Sequence, residues 1–132
     1  PTGPLLGGTL TEGELISTPI ENWSFVTEPE IEMQLSADTT SRHTWLIAMG
    51  NRAYMPAGTT FPPNKSWHIR AEQNGAAVLR ILGQRYPVTL SRIAKNSDEF
   101  ASVAQHMQQQ GTVPPGGSDA MWLFSVISRP IE

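Results

Sequence analysis

The chain has 132 residues, a net charge of −3 and no cysteine, which sets the expectation of one domain and excludes disulfides, thiolate metal sites and a cysteine nucleophile. Its charge is unevenly placed: residues 1–41 hold seven acids and no Lys or Arg, whereas residues 42–95 hold eight bases and a single acid, Glu72. A basic middle in an acidic chain points to a local anion site and away from a nucleic-acid face, although acidic and basic strands paired across a sheet would give the same pattern.

Residues 1–13 read as an extended, Pro/Gly-rich N-terminal segment and residues 14–132 as a single domain. A short strand is expected over residues 14–18, stopped by Pro19, and Trp23 with Phe25 reads as a packed turn or plug. Residues 30–36 alternate strictly: Ile31, Met33 and Leu35 fall on one face and polar residues on the other, the pattern of a half-buried strand. Residues 43–49 and 52–55 read as two strands around a Gly50-Asn51 turn. After a Pro-rich loop, Asn64 is placed to cap a helix over residues 65–74, and Gly75 to end it.

A second hairpin is expected over residues 77–82 and 85–93, turning at Gly83-Gln84, with Pro87 marking an edge or a bulge. The best helix is 96–110, where Phe100, Val103, Ala104 and Met107 form one apolar stripe, Asn96 and Glu99 resemble a capping box, and Gly111 closes it. Residues 120–127 are nearly all apolar, as in a central strand covered on both faces. Strands and helices do not alternate regularly, so the expected fold class is mainly β with two helices, an antiparallel barrel or sheet.

The usual catalytic signatures are missing. There is no glycine-rich dinucleotide fingerprint, no P-loop and no nucleophile elbow. His43, His68 and His106 lack metal-ligand spacing, and no carboxylate pair stands out, so no catalytic residue and no metal is assigned. Two clusters remain. Ser41, Arg42, His43 and Thr44 enter a strand and offer a guanidinium fork with hydroxyls, as a phosphate requires, or simply an exposed strand end. Lys65, Ser66, Trp67 and His68 open a helix; Trp67 either walls in a planar ring or anchors the helix in the core.

The run from Lys65 through Trp67, past Gln73-Asn74 into Ala77-Val78-Leu79-Arg80-Ile81, with Gly83 and Tyr86 beyond, resembles a stretch of the pyridoxamine 5'-phosphate oxidase-like flavin- and deazaflavin-binding split barrels. There a Lys-x-Trp opens a helix, and a Val-x-Leu strand with a Gly and then a Tyr follows. The hairpin over residues 44–54, the strand over 86–93 and Trp122-Leu123-Phe124 continue the likeness across roughly residues 14–128. The helix ends in Arg70-Ala71-Glu72-Gln73-Asn74-Gly75, without the family's Asn-Leu or Asp-Pro.

The resemblance implies an antiparallel split β-barrel, a homodimer and FMN as cofactor, with deazaflavin or haem as alternatives. It implies a phosphate held by Arg42, Thr44, Lys65 and Ser66, with Trp67 near the ring; under the haem alternative, His43 or His68 is the candidate axial ligand. The activity implied is a flavin-type oxidoreductase; a ligand-binding module without redox turnover and an empty barrel are the other readings. Similar bacterial chains often carry an N-terminal membrane anchor, so the expected location is either cytoplasmic or membrane-tethered by a segment ahead of Pro1.

Overall fold

Alternation of apolar and polar residues builds most of this protein. The computed structural model describes residues 10–59 and 66–129. Its strands are β1 (Glu30–Leu35), β2 (Arg42–Trp45), β3 (Ile47–Met49), β4 (Arg52–Gly58), β5 (Ala76–Ile81), β6 (Gln84–Ile93) and β7 (Met121–Ser128). Helix α1 (Trp67–Gln73) lies between β4 and β5, and α2 (Asp98–Gln110) between β6 and β7. All strand pairs are antiparallel, in the order β2-β1-β5-β6-β7-β4-β3. The two edge strands, β2 and β3, are consecutive in sequence and separated by Leu46 alone, so the chain curls the sheet into a nearly closed barrel.

The alternating strands bury two cores. Ile31, Met33 and Leu35 of β1, Met55 of β4, Leu79 of β5, Val88 of β6 and Phe124 of β7 meet inside the barrel. On the outside, Phe100, Val103 and Met107 of α2 cover Ile47, Tyr54, Met121 and Leu123. Strand β7 is therefore apolar on both faces, as its sequence indicated. Helix α1 sends Trp67 and Ala71 into the inner core. Ion pairs flank it on both sides: Arg70 binds Asp38 in the β1–β2 loop, and Glu72 binds Arg92 of β6, whose guanidinium lies 3.4 Å over the Trp122 ring. Before β1, Trp23 packs with Phe25 and Tyr86 as the aromatic plug.

Several sequence expectations shift. The strand expected over residues 14–18 is reduced to one parallel bridge, Leu15 to Arg85. The run 43–49 is two strands, because the chain crosses from one sheet edge to the other at Leu46. Helix α1 begins at Trp67; the Asn64 cap lies outside the described residues. The second hairpin turns at Leu82-Gly83, both at positive φ (52° and 82°), rather than at Gly83-Gln84.

Pro87 sits in an interior strand, between β5 and β7. Its carbonyl accepts from Arg129 N just past the last β6–β7 rung, Val88–Ser128, so the absent N–H falls at the end of a ladder and leaves no gap within it. Ser97, not Asn96, caps α2: its Oγ accepts from Phe100 N at 3.1 Å, and Glu99 turns away to Tyr54.

Tyr54 and Tyr86 are the only tyrosines in the chain. Burial pushes both phenols above their ordinary value, and the hydrogen bond to Glu99 adds to the rise at Tyr54. The folded state thus holds these protons more tightly than the unfolded chain does. The stability they contribute is present below about pH 10 and is lost as pH climbs through the folded-state values. A near-ultraviolet pH titration should show almost no phenolate until pH exceeds about 10, and phenolate should then appear together with loss of far-ultraviolet ellipticity. A phenol titrating at or below its ordinary value in the folded protein would contradict this.

Candidate functional site

The uneven charge of the sequence resolves into named pairs. Glu32 binds Arg80 across the β1–β5 ladder at 2.6 Å, Glu72 binds Arg92 at 2.7 Å, and Glu99 approaches Arg52 at 3.5 Å. Arg85 donates to the carbonyls of Gly13 and Leu10, and Lys95 to that of Asp119. Asp38 takes Arg70 through both oxygens, Nε at 2.8 Å and a terminal nitrogen at 3.0 Å. Four of the eight bases in this segment, Arg52, Arg70, Arg80 and Arg92, thus face a carboxylate, and Arg85 and Lys95 are held by backbone carbonyls. Arg42 is the exception: its side chain makes no hydrogen bond or ion pair among the described residues.

Arg42 and Thr44 are set by strand pairing. Met33 lies opposite Arg42 and Ile31 opposite Thr44, and directly paired residues share a face. Both therefore lie on the side of β2 that faces the barrel core, half-buried, at a sheet edge. His43 and Trp45 face outward, His43 3.8 Å from Glu30. Loss of hydration on burial lowers the Arg42 pKa, nearby Arg70 lowers it further, and Asp38 partly opposes them. Two guanidiniums and one carboxylate thus share one neighbourhood, with a net positive charge. Next to Arg42, the Ser41 hydroxyl is buried with no partner among the described residues.

Ser66 joins this cluster through Arg70. Its hydroxyl makes no cap hydrogen bond to the helix; it accepts instead from the third Arg70 nitrogen at 2.8 Å, one turn on. At seven residues, α1 is too short to contribute much of a dipole, so the positive potential here comes from side chains. The sequence reading missed Arg70. The available signal was its position four residues after Ser66, but the contact that fixes it, to Asp38, spans 32 residues.

The remaining candidates lie elsewhere. Trp67 is 1 % exposed, its ring centroid 5.7 Å from that of Phe124, and it is the core anchor of α1. Lys65 lies outside the described residues. His68 is buried edge-on against Trp122 at 4.6 Å. Among the described residues, no group of three or more His, Asp or Glu could hold a metal ion, and no helix is long and apolar enough to cross a membrane.

Two concavities, of about 270 Å³ beside Tyr54 and Glu99 and about 340 Å³ beside His43 and Glu32, do not include Arg42, Ser66 or Arg70. With Ser66 exposed, and Arg42 and Arg70 half-buried, the cationic cluster lies at the surface beside the sheet's edge.

No family model matches the chain, and no curated protein does. In three dimensions it is similar to the crystal structure of a Listeria innocua protein described as a "putative pyridoxamine 5'-phosphate oxidase". The TM-score is 0.56 and the identity 11 %, over 80 % of this chain and 87 % of that one. At this identity the likeness is one of fold, and it establishes the split β-barrel.

Proposed function

We propose that this split barrel binds a phosphate-bearing flavin, with Arg42 as the primary phosphate contact and Ser66, Arg70 and Thr44 around it. The observation that carries the reading is Arg42: a half-buried guanidinium near a second one, and the one carboxylate that acts on it among the described residues, Asp38, is already held by Arg70. A cation that has lost hydration without gaining a partner favours an anion, and the planar fork with adjacent hydroxyls suits a phosphate monoester. The donor set thus fits the phosphate of FMN. Trp67, locked in the core, is not part of the proposed contact with the ring.

A bound flavin would supply hydride and electron transfer itself. The chain's part is to hold the phosphate and orient the ring, which requires no side-chain acid or base. A symmetric homodimer belongs to the proposal, as the commonest assembly of soluble proteins; a monomer in sedimentation velocity would remove that element.

The test is an absorbance spectrum of the purified protein, followed by fluorescence titration with FMN and with riboflavin. Arg42→Ala should weaken FMN binding by about 10- to 100-fold, the scale of one lost charge-assisted hydrogen bond. Riboflavin, which lacks the phosphate, should bind wild type and variant alike. Unchanged FMN affinity in Arg42→Ala would overturn the phosphate site. Absence of any flavin binding would overturn the flavin itself.

A further inference from the structure

We infer that Asp38 is the site's resident counter-anion: it occupies the Arg70 fork in the ligand-free protein, and an incoming phosphate competes with it for that fork. This rests on the phosphate reading above and gives Asp38 a role that reading does not assign. Asp38 lies in the β1–β2 loop, with its side chain 12 % exposed, and both carboxylate oxygens are bound by Arg70. The third Arg70 nitrogen holds Ser66. Every nitrogen of Arg70 is therefore engaged before any ligand arrives, although its fork is the cluster's best match to a phosphate.

The loop fixes Asp38 in this role. Its backbone N–H donates to Leu35 O at 3.0 Å, closing a turn after β1, and its carbonyl accepts from the Gln34 amide at 3.0 Å. The turn thus holds the carboxylate against α1. Arg42 feels both neighbours, Arg70 and Asp38. An anion at Arg42 is drawn by two guanidiniums and opposed by one carboxylate. Neutralising Asp38 changes the three-residue charge from +1 to +2 and frees the fork, while the amide of asparagine keeps the shape and one acceptor oxygen.

Inorganic phosphate is the probe, titrated by calorimetry into wild type, Asp38→Asn and Arg42→Ala. Asp38→Asn should bind phosphate about tenfold more tightly, the scale of one unit charge acting over several ångströms near a protein surface. A folded Asp38→Asn with unchanged or weaker phosphate affinity would overturn the counter-anion role, while loss of binding in Arg42→Ala would leave the phosphate site standing. Binding that survives Arg42→Ala would overturn the phosphate site itself. If Asp38→Asn does not fold, the wild-type chain answers by NMR of the arginine Nε–H groups. Movement of the Arg70 resonance at saturating phosphate supports the exchange; a static Arg70 beside a shifting Arg42 refutes it.

Discussion

Trp67→Ala is expected to lower stability by about 3–5 kcal/mol, the usual range for deleting a buried tryptophan. Small domains are stable by only about 5–15 kcal/mol, so much of the folded population is at stake. The ring is 1 % exposed and packs against Phe124 in the inner core. Helix α1 has seven residues and cannot persist on propensity alone. Trp67 and Ala71 are what seat it, since the ion pairs at its flanks are partly exposed and contribute little. Urea denaturation should show a midpoint well below wild type, with Trp67→Phe intermediate. Because α1 carries Arg70 and Ser66 directly precedes it, the folded fraction of Trp67→Ala should also bind FMN less tightly. A normal midpoint would mean that the ring is not the anchor of α1.

The strands were legible where burial is one-sided or complete. In β1 the core accepts only every second residue, so Ile31, Met33 and Leu35 declare the strand and its inner face. In β7 both faces are covered as far as Phe124, and the run from Met121 to Ile127 reads as nearly all apolar, with Ser125 its one interruption. The break at Leu46 was hidden because apolar residues continue through it; nothing local marks the chain's passage between sheet edges. Pro87 misled because the rule concerns the missing N–H, and the harm depends on which neighbour that N–H would have faced. The site divides in the same way. Arg42 and Ser66 stand out by residue type near strand and helix starts. Arg70 reads as an ordinary surface residue of a helix until the loop holding Asp38 is folded beside it.

Gly75→Ala should be more damaging still, costing at least about 4–5 kcal/mol, the exceptional end of single substitutions. In sequence, Gly75 and Gly111 look alike, each a glycine after a helix. In the fold they do different work. Gly111 is a left-handed cap at φ 70°, with nothing within 4 Å of an added Cβ. Helix α1 instead ends at Asn74 in extended conformation, and Gly75 is not at positive φ. A Cβ on Gly75 would stand 2.0 Å from Leu90 O and 3.0 Å from its carbonyl carbon. These are backbone atoms of β6, and Leu90 N donates to Gly75 O at 2.8 Å, so neither chain can retreat without breaking the contact. Gly111→Ala carries only the left-handed cost of about 1–2 kcal/mol. Side-by-side denaturation of the two variants separates the causes. A collapse confined to Gly75→Ala places the requirement in the close approach of two backbones; equal, modest losses would mean that the β6 contact yields and that Gly75 serves only the turn.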